Sequence, residues 1–548
     1  MAIRRTVGID FGTSTTLIAE SAPAGRPSVV PIGHSTSWMP SLAAVLDGDL
    51  RVAEDALEVN PGRLITSVKS CITNRQEYVK SSDGTVTQAA DEVILALLTE
   101  LATRARSDRL PISQDGVSRL GCPAMWDADQ RLRLLMLAEK AGFRIGPATL
   151  IDEPIAAGLH WIGQQSDRRE FLDQDRVLVF DMGGGTLDVA LLDVTTGPGR
   201  DPEIYVLASA GVSEAGDTLD QAIANDFEGR LNAKGIYLED LPDEALARAY
   251  VVRAALDAKL ALSDARETDV HFGYTAVALP KLRYTVEELE QAFRPQLDAA
   301  WNLILSTLRA AYLTRKGGAI PRELRRMPED ELTGRVTHVL LAGGMSRVPG
   351  VAKFLGRNLP KAKFHEFPNK GGQEAIVAGL AENTSYEQVN LHRPAFDFKL
   401  EYRAAGGELT SVLLYRAHTP FYEWWEALSR DRLTYQWPGG STAVDPGAYR
   451  LLPTTGFASL AVVAMDGSRV ALRHQGKDYD SLKVAFGKSP LTFTLSPEGR
   501  MSLRDGRGTV HSLRIARWPA LGSGFAPLAL PVESPVWEPM RRPWWDTK

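Results

Sequence analysis

Two aspartates, each opening a glycine-rich turn at the end of an apolar run, constrain this chain more than any other feature: Asp10-Phe11-Gly12-Thr13-Ser14 and Asp181-Met182-Gly183-Gly184-Gly185-Thr186. Val7 to Ile9 and Val177 to Phe180 read as buried strands. Glycines directly after a strand let the backbone bend tightly and present bare N–H groups to phosphate oxygens. A carboxylate beside such a turn suits magnesium, a hard ion that keeps most of its waters and is held through one or two carboxylates plus substrate phosphates. Two separated turns of this kind predict opposed clamps on one nucleotide, and Gly343-Gly344 adds a third signal. No Gly-x-x-x-x-Gly-Lys-Ser/Thr run exists and no Gly-x-Gly-x-x-Gly follows the first strand, so the phosphate site is neither a P-loop nor a Rossmann turn.

The surroundings of these turns predict an α/β architecture. Up to about residue 385, short apolar strands alternate with amphipathic helices, among them 91–106, 127–141 with Leu132, Leu135 and Met136 on its apolar face, and 287–308. Residues 219–263 read as consecutive helices and 269–284 as stranded. A second apolar strand follows each Asp–Gly turn (Leu17 to Ala19; Val189 to Asp193), which predicts an internal duplication and two similar lobes facing each other. The basic segment 315–326 reads as a solvated connection. Beyond roughly residue 395 the pattern changes to short alternating strands broken by Pro-Gly, Gly-Gly and Asp-Gly turns, which predicts a β-sandwich or barrel. That part carries seven of the 11 tryptophans, Trp424, Trp425, Trp437, Trp518, Trp537, Trp544 and Trp545, read as core packing. The Pro- and Trp-rich stretch 527–548 is expected to lie extended over another domain.

With 548 residues, 44% of them hydrophobic, two to four domains with sizeable cores are accessible. A net charge of −6 over 62 basic and 68 acidic residues argues against a nucleic-acid partner bound by phosphate neutralisation. Cys71 and Cys122 have neither disulfide-framework numbers nor zinc spacing, which points to two core thiols in a reducing compartment. Met1 to Arg5 lead at once into a strand, so no signal peptide is expected, nor any membrane insertion, and the expected location is the cytoplasm.

The order of these motifs resembles the actin-fold ATPase domain of the seventy-kilodalton heat-shock chaperone family, over approximately the first 385 residues. Residues 7–16 look like the family's first phosphate loop, 151–157 its connecting helix, 181–188 its second phosphate loop, and 341–349 its adenosine motif; 36–41 and 60–69 resemble further family segments. The resemblance implies domains at 1–385, with an insertion at about 220–335, a linker at 386–398 and a β-rich client- or partner-binding domain at 399–548.

The same resemblance implies residue roles and cofactors, namely ATP and Mg²⁺. Asp10 and Asp181 would hold hydrated magnesium. Gly12, Thr13, Ser14 and Thr15, with Gly183, Gly184 and Gly185, would contact phosphates, and Gly216, Lys259, Ser263, Gly343, Gly344 and Arg347 would form the nucleoside side. Lys69 would place the attacking water and offset developing charge, with Glu153, Thr186 and Asp188 completing the catalytic pocket. Pro123 and Arg131 match residues that relay nucleotide state. Partners would be ATP or ADP, a protein client or dedicated partner, and a nucleotide-exchange partner.

The chain departs from the family at Leu256 and Leu260, where Glu and Arg are usual, and at Gln373 in place of Asp, which predicts weaker nucleoside contacts. Residues 389–394 replace the family's acidic, leucine-rich linker. No helical lid is expected after the β-rich part, in which 491–503 resembles one family hairpin. A nucleotide-gated filament or scaffold, a sugar or acid kinase on the same fold, and a nucleotide sensor with little turnover stand as alternatives.

Overall fold

The computed structural model describes residues 5–22, 25–113, 117–314, 316, 319, 321–367, 371–390, 392–404, 406–423, 433–439, 452–517, 529–533 and 539–540. Six of the seven C-terminal tryptophans, most of 527–548 and the side chain of Gln373 lie outside the described residues.

The two halves of the α/β region repeat one design. In the first sheet, Thr6–Phe11 forms an antiparallel hairpin with Thr15–Ser21 and pairs in parallel with Val117–Cys122, which in turn pairs in parallel with Leu150–Asp152. In the second, Asp175–Met182 forms a hairpin with Leu187–Gly197 and pairs in parallel with His338–Ala342, which pairs in parallel with Lys363–Glu366. The duplication expected from the two Asp–Gly turns is therefore a duplication of sheet topology, with each turn at the tip of its hairpin. The strands Thr6–Phe11 and His338–Ala342 are buried along their whole length.

Two helices, Glu153–Arg168 and Gly371–Ala381, pack against each other between the sheets. They cross so closely that a Cβ on Gly379 would stand 1.7 Å from the Ala156 carbonyl oxygen, so this crossing requires glycine. The insertion consists of helices Gly216–Asn232 and Glu244–Ala261 and the hairpin Glu267–Val270 with Leu282–Thr285, followed by the long helix Val286–Tyr312. Thr285 and Glu288 form a reciprocal cap at the start of that long helix.

Local corrections are small and instructive. The helix expected at 127–141 runs Ala128–Lys140 with an Asp127–Gln130 capping box, but Met136 is 47% exposed; Leu134, Leu135 and Ala138 carry its buried face instead. Arg131 is buried on that face too, one turn before Leu134 and Leu135. Within 315–326, Pro321–Leu324 is a short helix and Leu324 is buried, so that connection is anchored in the core.

The C-terminal strands form one twelve-stranded sheet whose main path runs from Leu409–Tyr415 through Phe396–Arg403 and Phe457–Ala464 to Thr492–Leu495 and Tyr435–Gln436. The path curls: the Tyr435 hydroxyl donates to the Leu414 carbonyl at 2.8 Å, and Phe398 and Phe493 rings meet at 5.7 Å. The connector to this sheet is structured. Glu387–Gln388 adds a parallel strand to the second α/β sheet, beside Tyr205 and Val206. Met465, from the β-rich part, packs against the hydrophobic core of the first lobe.

Candidate functional site

The two glycine turns close identically. The Gly12 amide donates to the Thr15 carbonyl at 3.1 Å, and the Gly183 amide to the Thr186 carbonyl at 2.9 Å. Each closure turns the backbone between its strands toward the space between the lobes. A cleft lies there, lined by Asp10, Gly12, Thr13, Ser14, Thr15, Lys69, Glu153, Asp181, Gly183, Gly184, Gly185, Thr186, Gly343 and Gly344, with Ile376 behind. The structure thus brings together most of the residues that the sequence pattern nominated.

Supporting contacts explain the positions. The Ser41 amide donates to the Ser14 carbonyl and the Ser41 hydroxyl meets Thr16 Oγ1 at 2.8 Å, so the 36–41 segment braces the first turn. The second turn is held by the start of helix Gly216–Asn232, where the Gly216 and Asp217 amides donate to the Gly183 and Gly184 carbonyls. Gly343 has φ +76°, and a Cβ there would stand 2.3 Å from the Met182 carbonyl and 2.6 Å from Asp181 Oδ1; the third glycine signal exists because this backbone abuts the second turn.

Lys69 enters from a turn that includes Ser67 at φ +52° and is 4% exposed. Its Nζ donates to Glu153 Oε1 at 2.5 Å. Burial alone would lower its pKa, but the Glu153 and Asp10 carboxylates outweigh that and raise it, so the lysine stays charged. The acids respond in the opposite sense. Burial, followed by Glu153, pushes Asp10 and Asp188 up to about 7. Asp181 rises well above the carboxylate range through burial and the charges of Glu153, Asp188 and Asp10, and its Oδ1 is buried with no hydrogen-bond partner.

Four buried acids around one lysine, with an orphaned carboxylate oxygen, form a site that a cation would stabilise. Among the described residues no group of three or more His, Cys, Asp and Glu side chains is placed to hold a metal ion. Magnesium that keeps its waters needs one or two carboxylates and phosphate oxygens, so Asp10 and Asp181 fit that ion rather than a fully protein-ligated one.

The nucleoside-side residues are arranged differently. Lys259 is buried and paired with Asp220 at 2.7 Å, while Ser263 Oγ donates to the Lys259 carbonyl. Arg347 reaches Asp264, next to Ser263, at 3.3 Å, which joins the glycine turn to the end of helix Glu244–Ala261. None of the three lines the cleft between the glycine turns. Leu260 is 58% exposed beside them.

Arg131 is buried and donates to the Trp126 carbonyl and to Asp152 at 2.7 Å, with Pro123 and Ala124 carbonyls nearby. The Ala124 amide donates to Asp188 at 2.8 Å. Sequence reasoning missed two residues here. Arg393 donates to the carbonyls of Ala124, Met125 and Trp126 and to that of His418. Asp220 neutralises Lys259, and its only sequence signal was its place three residues after Asp217 in the segment following Gly216.

The Hsp70 protein family profile matches residues 6–381. The chain belongs to the Hsp70 family. Curated relatives include proteins named chaperone protein DnaK from Thermotoga petrophila, 30% identical over 394 residues, and from Thermosipho africanus, 30% identical over 392 residues; each alignment covers 68% of this chain and 58% of the relative. The DnaK of Cenarchaeum symbiosum is 28% identical over 369 residues, covering 64% and 50%. This chain therefore spans just over half the length of these Hsp70 relatives. The family's match ends at the helix Gly371–Ala381, before the connector and the β-rich sheet. Among the described residues no helix is long and apolar enough to cross a membrane.

Proposed function

We propose that this chain binds magnesium-ATP between its lobes, hydrolyses it, and uses nucleotide state to control protein binding by its C-terminal β-domain. The observation that carries this reading is the pair of identically closed glycine turns facing one cleft that also contains Lys69, Glu153 and two aspartates. In this reading the turn amides and the Thr13, Ser14 and Thr186 hydroxyls hold the phosphates, and Asp10 and Asp181 hold a hydrated magnesium. The bound ion supplies charge neutralisation on the phosphate oxygens.

Lys69, kept cationic by Glu153, orients the attacking water and meets negative charge as it develops. Asp188, buried and hydrogen-bonded to the Ala124 amide, accepts from that water through its unpaired Oδ2. Residues 1–385 would form the ATPase domain, 386–398 the connector and 399–548 the domain that holds a protein client or dedicated partner. A nucleotide-exchange partner and a cytoplasmic setting belong to the same proposal.

Coupling is proposed to pass through the turn 124–126. Its amide side touches Asp188, and its carbonyl side receives Arg393 from the connector. A change in Asp188's partner on hydrolysis would move the carbonyls to which Arg393 is bonded. The test is phosphate release from the full chain, together with protease susceptibility of 386–423 under ATP and ADP. ATP turnover with nucleotide-dependent cleavage is expected, and Arg393→Ala should abolish the nucleotide dependence while hydrolysis persists. Hydrolysis without any difference in cleavage would remove the coupling and leave an ATPase.

A second reading, a nucleotide sensor with little turnover, is favoured by the ion pairs that occupy Lys259 and Arg347 and by exposed Leu260. Nucleotide binding without phosphate release would establish it.

A further inference from the structure

A second cavity, separate from the cleft between the lobes, opens at the junction of the two lobes, the connector and the β-domain. Its floor carries Arg131 and Asp152 from the first lobe and Ser209 from the second; its roof is formed by Tyr386, His392 and Arg393 of the connector together with His418 of the β-domain. Pro147, Val206, Phe396 and Met465 make up apolar wall.

The charges facing this space do not balance. Arg131 and Arg393 are two guanidiniums, and Asp152 is the one carboxylate among the lining residues. Both guanidiniums are already committed to carbonyls, and Arg131 also to Asp152, so they impose a positive field without needing new hydrogen bonds. The histidines add no charge: burial, with Arg393 beside both and Arg131 near His418, holds them neutral.

Hydrogen-bonding capacity is left over as well. Tyr386 is 4% exposed and its hydroxyl has no partner; His392 Nδ1 is buried with none. Buried polar groups are rarely left unpaired, and here two such residues line the same positively biased space. Polar donors above an apolar wall are the usual composition of a small-molecule site rather than of an inorganic-ion site.

We infer that this junction cavity binds a small organic anion, a carboxylate or phosphate group on an apolar body, with Tyr386 and His392 as its hydrogen-bonding partners. Because its walls come from both lobes and the β-domain, such a ligand favours the docked arrangement by mass action. The inference needs neither ATP turnover nor a protein client.

The test titrates the full chain, its cleft filled with excess magnesium-ADP, with benzoate, phenyl phosphate, neutral benzamide and inorganic phosphate, read by calorimetry and ligand-observed NMR. Benzoate or phenyl phosphate should bind saturably below about 10 mM, the range open to so small a ligand, with benzamide and inorganic phosphate weaker. The tighter of the two anions identifies carboxylate or phosphate ester as the natural source. Tyr386→Phe should weaken that anion about fivefold. Ala148→Trp, placed at the half-buried rim, should abolish its binding by filling the space. Absence of saturable anion binding, equal binding of benzamide, or binding indifferent to both substitutions overturns the inference.

Discussion

The protein has two buried polar regions of opposite character, and they share a backbone. The cleft between the lobes is lined by Asp10, Asp181 and Glu153 around Lys69, with the buried Asp188 close enough to add its charge, so it is short of positive charge. The junction beneath the β-domain places Arg131 and Arg393 against Asp152 and has a positive surplus. Asp152 and Glu153 are adjacent, one facing each region, and the turn 124–126 gives its amide to the cleft and its carbonyls to the junction. The difference teaches that one short stretch of chain can serve two interfaces of opposite sign, because a peptide group has a donor end and an acceptor end.

The sharpest break between the regions is expected from Lys69→Ala. It removes the cleft's cation and should lower single-turnover hydrolysis about a hundredfold or more while ATP still binds; unchanged hydrolysis takes Lys69 out of the mechanism, and unchanged β-domain docking is expected in the same protein.

Acidification should strike the junction instead. His392 and His418 are held neutral when docked, with pKa values well below the usual one, and return to an ordinary value near 6.5 when released. Docking is therefore fully stable above pH 6.5 and weakens as pH falls through it, by at most about 1.4 kcal/mol per histidine per pH unit. Small-angle scattering from pH 7.5 to 5.5 should show release, and a protein carrying His392→Gln and His418→Gln should show a flatter response. A pH-independent envelope in the parent protein would contradict the burial argument.

Asp10→Asn sharpens the cleft side again. The magnesium concentration needed for half-maximal hydrolysis should rise about tenfold, and a normal magnesium curve would sink the opposed-clamp reading. The smallest effect is expected at the nucleoside mouth. Leu260→Arg restores a cationic face beside the base and should tighten ATP binding two- to fivefold, in keeping with about 0.5–1 kcal/mol for an exposed cation–π contact. Calorimetry showing no gain would place the base elsewhere.

Legibility in the sequence followed chemistry rather than position. Asp10, Gly12, Asp181 and Gly183 were readable because strand, turn and carboxylate lie within a few residues, and the turn's hydrogen bond closes over three. Lys69 had no local signal; only the order of distant motifs pointed to it, since Glu153 meets it across 84 residues. Arg393 was unreadable. Its segment looked like a linker that had lost its usual residues, yet its guanidinium reaches a turn 267 to 269 residues earlier. Met136 misled because helical spacing admits more than one apolar stripe, and packing buried the one with Leu134, Leu135 and Ala138.

From its sequence alone this chain could be read as a duplicated α/β fold with two strand-to-glycine turns and a strand-rich C-terminal part, because hydrophobic period and turn chemistry are written locally. Folding settled which acids share Lys69, that Lys259 is neutralised by Asp220, that Glu387 and Gln388 pair as a strand while Arg393 bonds the carbonyls of 124–126, and that a cavity lies beneath the β-domain. Each of these depends on groups brought together from distant parts of the chain, where burial sets the charge state and no short window of residues records the partner.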